Sequence, residues 1–202
     1  MITTSAALLQ GTTAITGGGL AIGVFLLSRE LWLWWRTGGG GGAAPGGKGK
    51  GGPPAAGGGG ARNPKALLPF ASGLAFGTLM VACPAGLLGK LAGLLRGIGN
   101  GIGDGVTRAA TGHNTATVAN GSAPGLDGNG ALIVVVAMLL VIVAWKRLAK
   151  ALKGKFGSGV WCGTLLGISS GLFAFLGQMV VPTANDLGAQ LIGSITNGSW
   201  AV

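Results

Sequence analysis

The sequence predicts an all-α integral membrane protein with four transmembrane helices joined by disordered glycine-rich loops, and three observations lead there. Lys and Arg number 14 and Asp and Glu 4 in 202 residues, so 9% of the chain is charged against 49% hydrophobic. A soluble domain carries about 25% charge, and this chain has too little to cover a globular surface. Four apolar stretches, each near the length needed to cross a hydrocarbon layer, alternate with polar or glycine-rich segments. Glycine also recurs every fourth residue, as Gly89, Gly93, Gly97, Gly101 and Gly105 and again as Gly159, Gly163, Gly167 and Gly171. Positions four apart stack on one helix face, where glycine leaves a groove that a second helix can enter. In water each interior glycine costs a helix about 0.5 to 1 kcal/mol relative to alanine, so the pattern suits a bilayer.

The elements follow in order. The first span, Ala6 to Leu27, carries no charge before Arg29 and lacks the basic leader and cleavage site of a signal peptide, so it is read as retained. With its Trp-rich border it fills residues 1–36. Residues 37–65 form a linker whose Gly38 to Gly60 stretch is almost wholly Gly, Ala and Pro, too poor in apolar bulk to offset its ordering entropy. The second span, Ala66 to Leu88 within residues 66–96, is bounded by Lys65 and Lys90, and Pro84 is expected to kink its end. Gly73 and Gly77 carry the first glycine run back into it. Residues 97–130, rich in Gly, Asn and Thr, read as an exposed loop. The third span, Ala131 to Trp145, is the most apolar. Its length of about 22 Å falls short of a hydrocarbon core of about 30 Å, so the helix is expected to run on through a basic amphipathic end to residue 155. The fourth, Ser158 to Val181 within residues 156–182, is expected to stop at Pro182, leaving residues 183–202 as a tail.

Charge sets the orientation. Arg29, Arg36, Lys48, Lys50, Arg62 and Lys65 lie between spans one and two, and Lys146, Arg147, Lys150, Lys153 and Lys155 between spans three and four. A four-span arrangement puts both loops on one side, which the positive-inside rule makes the cytoplasm. The chain is therefore expected to be a multi-pass protein of the plasma membrane with both termini outside, and Lys90, Arg96 and Arg108 on the outer side. Trp32, Trp34, Trp35, Trp145 and Trp161 border the cytoplasmic side, where indole rings anchor in the headgroup layer.

Two constellations carry chemistry. Lys146, Lys150 and Lys153 share one helix face opposite Leu148 and Leu152; with Arg147, Lys155, Lys48, Lys50, Arg62 and Lys65 they suit anionic lipid headgroups or, without sequence preference, DNA. The packing glycines, Gly159, Gly163, Gly167, Gly171, Gly73, Gly77, Gly89 and Gly93, suit either a homo-oligomer, as in a pore, or packing within one bundle. Signals for an enzyme, a cofactor or a metal are absent: His113 is the only histidine, and no Asp or Glu falls inside a span. Cys83 and Cys162 are predicted at opposite membrane depths and hence as free thiols.

Four apolar spans, a basic Gly/Ala/Pro-rich linker and the basic Lys146 to Lys155 segment resemble the small membrane-integral spread (Spd) proteins of Streptomyces conjugative plasmids. That resemblance covers most of the chain. It implies a self-associating accessory or pore component in plasmid DNA transfer, with a protein of the transfer apparatus as a possible partner. Two other readings stay open: a holin-like membrane-permeabilising protein, and a membrane tether that recruits a partner through its linker.

Overall fold

A computed structural model describes residues 14–37, 64–83, 86–120, 125–146, 149–167 and 173–197. Among these the fold is helical apart from one small antiparallel ribbon. In chain order the elements are β1 (Ala14–Thr16), α1 (Gly17–Thr37), a 3₁₀ turn (Pro64–Ala66), α2 (Leu68–Val81), α3 (Leu87–Thr111), β2 (Thr117–Asn120), α4 (Gly128–Trp145), α5 (Lys150–Leu166) and α6 (Ala174–Asn197). The ribbon pairs Ala14 with Asn120 and Thr16 with Thr117.

The all-α class is as the sequence predicts; the division into four spans is not. Six helices are described, and among the described residues no helix is long and apolar enough to cross a membrane. The reasons differ. The second span breaks between α2, of 14 residues and about 21 Å, and α3; Pro84, expected to kink the end of that span, lies outside the described residues. The apolar stretch of α4 follows a polar Gly-Asn-Gly start. α1 contains Arg29 and Glu30, and α5 contains Lys150, Lys153 and Lys155.

Three local expectations are corrected. Residues 97–111 are helical, as the second half of α3, and the helix closes at Gly112, whose φ of 75° gives the left-handed cap that glycine adopts without strain. Pro182 does not end a helix but lies inside α6, where buried Val181 and Ala184 on either side hold the segment in place. The basic segment does not prolong the third span. α4 stops at Trp145, Ala149 is extended, and Lys150 starts a separate helix, α5.

Packing rests on glycine. A Cβ at Gly73 would overlap the Phe156 carbonyl oxygen, one at Gly77 that of Val160, one at Gly159 that of Phe70 and one at Gly163 that of Leu74. Contacts advance in the same direction along both helices, so α2 and α5 lie parallel, backbone against backbone. Gly18 meets Gly103 where α1 meets α3, and Gly188 meets Asn129 and Gly130 where α6 meets α4. Leu79 to Ala82, Ala92, Val134, Val181 and Ala184 form the largest buried apolar cluster.

The glycine run in α3 does not behave as one face. Gly93 is buried, yet nothing lies within 4 Å of a Cβ placed on Gly101 or Gly105. Steps of four residues turn about 400°, so a stripe at that spacing drifts by about 40° per step and leaves the interface within a few turns. Gly99 and Gly103 take over, the first against Leu165 and the second against Gly18. Gly101→Ala and Gly105→Ala are therefore expected to stabilise the protein by about 0.5 to 1 kcal/mol each, read as a raised midpoint in thermal unfolding followed by circular dichroism.

Candidate functional site

One end of the molecule gathers the cationic side chains. Glu30, late in α1 and 6% exposed, receives Lys155 Nζ at 3.3 Å, which brings the end of α1 to the start of α5. Phe156, the next residue, meets Phe76 of α2 at 6.2 Å between ring centres and Trp145 of α4 at 6.3 Å, edge to face. The end of α4 therefore reaches the same place. Lys65 precedes α2 at this end as well, since Phe70 lies beside Gly159.

The electrostatics are one-sided. Arg29, Arg36, Lys65, Lys146 and Lys150 are exposed there, Lys153 and Lys155 partly so, with Glu30 as the acid among them. Arg36 lies over the Trp32 ring at 5.2 Å and Lys153 over Trp145 at 5.7 Å, arrangements in which the ring face attracts the cation. No acidic residue occupies the first turn of α5, and Ala149 offers no side-chain cap. The positive end of the helix dipole adds to the lysines instead of being offset. Such a surface attracts anions.

Trp32, Trp35 and Trp145 are exposed by 54%, 61% and 42%. Trp34 is half-buried. Trp161 is also half-buried and donates its indole N–H to the Leu95 carbonyl at 3.1 Å, tying α5 to α3. Lys48, Lys50, Arg62, Arg147 and Gly171 lie outside the described residues.

Gly73, Gly77, Gly159 and Gly163 are brought together, but within one chain. The groove that a second copy would enter at these four residues is filled by the chain's own helix. Gly167 sits at the end of α5 beside Thr78, whereas Gly89 and Gly93 lie in α3, the second of them buried. Cys83 and Cys162 are free thiols, the second fully buried with its Sγ 3.4 Å from the Gly23 carbonyl.

The opposite end holds a group that charge counting misplaces. Arg96 is not an outer-surface charge: it is 2% exposed, and its Nε and Nη2 both donate to the Thr164 carbonyl at 3.2 Å. Thr164 stands in the last turn of α5, where carbonyls lack helical partners, so the guanidinium caps that helix from the side. Asn100 does similar work at the start of α1, donating to the Ala14 carbonyl at 2.9 Å and accepting from the Thr16 N–H at 3.2 Å. Neither role has a sequence signal beyond a polar residue on the small-residue face of an amphipathic helix.

The outer surface is apolar to an unusual degree. Along α4, Leu132, Val135, Val136, Leu139, Leu140, Ile142 and Val143 are 40% to 69% exposed. A monomer in water rarely leaves a contiguous patch of that kind uncovered. No group of His, Cys, Asp or Glu that could hold a metal occurs among the described residues. Compared with family models, with curated proteins and with solved structures, the chain matches none.

Proposed function

We propose that this is a non-enzymatic membrane protein held by its basic end to the anionic headgroups of one leaflet, working as an accessory to the passage of DNA across that membrane. The observation that carries the reading is the convergence of Lys146, Lys150, Lys153, Lys155, Arg29, Arg36 and Lys65 at one end, bordered by exposed Trp32, Trp35 and Trp145. Tryptophan and cations together at one level mark a headgroup boundary. The exposed apolar flank of α4 supplies the hydrocarbon-facing surface beside it. Its apolar stretch of about 22 Å is shorter than an ordinary hydrocarbon layer, so the bilayer thins around the protein or its polar ends draw headgroups inward. The DNA-transfer setting rests on the resemblance to plasmid spread proteins.

Flotation of the full-length chain with vesicles tests the membrane reading. Recovery with the lipid is expected in every mixture, and loss of recovery from phosphatidylcholine and phosphatidylglycerol vesicles alike would overturn it. Protection of the basic end is read separately, as lysine modification at Lys146, Lys150 and Lys153 that falls when phosphatidylglycerol is present. For the DNA setting, the chain in detergent is titrated with duplex DNA. Neutralising three phosphates would weaken binding about 40-fold between about 50 mM and 200 mM salt. Binding that does not change over that range would confine the lysines to lipid and topology.

A further inference from the structure

α3 touches, in order along its length, one end of three other helices. Ala92 packs in the cluster of Leu79 to Ala82 at the end of α2. The Leu95 carbonyl and Arg96 bond Trp161 and Thr164 near the end of α5. Asn100 and Gly103 meet Thr16 and Gly18 at the start of α1. These ends all lie away from the Glu30 and Lys155 pair, so α3 closes the pole opposite the basic end.

Its inward face is small or polar: Ala92, Gly93, Arg96, Gly99 and Gly103 are buried. Its outward face is the reverse. Leu87, Leu91, Leu94, Ile98, Ile102 and Val106 are exposed by 40% to 73%, and at 100° per residue they form one stripe. Lys90 and Arg108, both exposed, are 18 residues apart, which is five whole turns, and so project along the same flank of that stripe. Asp104, the acid of this helix, is engaged by the Thr115 hydroxyl. Beneath Ile102 and Val106 the stripe opens into a groove of about 510 Å³ between α1 and α3. Both polar side chains lining it are satisfied inside the chain, Thr107 by the Gly103 carbonyl at 2.9 Å and Trp161 by that of Leu95. The groove offers a ligand nothing but hydrocarbon.

We propose that α3 lies in the interfacial layer of an anionic leaflet, its Leu87 to Val106 stripe in the acyl boundary and its Lys90 and Arg108 flank at the headgroups. An apolar stripe edged with cations is the pattern of a helix that rests in the plane of a membrane surface. This placement rests on the membrane reading above and adds a second contact, with the leaflet opposite the basic end.

The test uses the full-length chain with Cys83→Ser and, one at a time, Leu91→Cys, Ile98→Cys, Ile102→Cys or Val106→Cys, each labelled with an environment-sensitive fluorophore. The variants are reconstituted in phosphatidylcholine vesicles with and without phosphatidylglycerol, carrying nitroxide quenchers at shallow or deep acyl positions. Equal quenching at all four sites, stronger with the shallow quencher, is the expected result. Lys90→Glu with Arg108→Glu should abolish the difference between anionic and neutral vesicles; a difference that persists would remove the headgroup role of that flank. Depth that grades steadily from position 91 to 106 would mean a spanning helix and overturn the proposal. So would absence of quenching, whether or not Ile98→Cys cross-links to a second copy. Flotation of the same samples separates the causes, since protein that floats unquenched sinks only this inference, and protein that does not float sinks the membrane reading too.

Discussion

Gly163→Leu is expected to prevent α2 and α5 from packing, at a cost of about 3 kcal/mol or more, a large share of the roughly 5 to 15 kcal/mol by which a protein is ordinarily stable. Even the first added carbon has no room, because a Cβ at Gly163 would overlap the Leu74 carbonyl oxygen and lie 3.0 Å from the Thr78 nitrogen. Those are backbone atoms of a parallel helix and cannot rotate aside as a flexible side chain would. Gly77→Leu should behave alike, since its Cβ would overlap the Val160 carbonyl. Thermal unfolding by circular dichroism in detergent checks the stability, and size-exclusion chromatography with light scattering checks the assembly. A stable Gly163→Leu variant that has merely lost an oligomer would mean that the seam belongs between copies and not within one chain.

Removing the Arg96 side chain is the second large effect. Arg96→Met keeps much of the apolar stem but withdraws both donors from the Thr164 carbonyl, each a charge-assisted bond in a buried site. A loss of about 2 to 4 kcal/mol follows from the missing bonds and the orphaned acceptor. The damage should be local first. Amide exchange is expected to rise in the last turn of α5 and in the Leu95 to Gly99 segment of α3, while the Glu30 and Lys155 end keeps its protection. Arg96→Lys should recover only part of the loss, because an ammonium cannot reproduce the fork of Nε and Nη2 on one oxygen. Unchanged exchange at Leu165 and Leu166 in Arg96→Met would rule out the capping role.

The two predictions come from different levels of legibility. That Gly73, Gly77, Gly159 and Gly163 pack helices closely could be read from four-residue spacing in apolar surroundings; that their partner is the chain's own helix could not, because spacing describes one face and is silent on what fills it. The same limit explains α3. A run from Gly89 to Gly105 looks uniform in sequence, but its slow rotation around the helix buries Gly93 and exposes Gly101 and Gly105, and only neighbours in space decide where the change falls. Arg96 reads as a surface charge in sequence because a guanidinium is normally solvated, and its burial depends on a carbonyl 68 residues away.

What the sequence determined by itself was the helical class, the four-residue spacing of small residues that lets helices approach, and the separation of charge into two basic segments. Local composition and short-range periodicity carry all of these, since they depend on side-chain volume and charge within a few turns. Where the helices break, which glycines face inward, and that Glu30, Lys155, Phe156 and Trp145 meet at one end were decided only in the tertiary structure. Those outcomes turn on contacts between distant segments, and a linear pattern cannot say which carbonyl, ring or carboxylate will stand opposite a given residue once the backbone closes on itself.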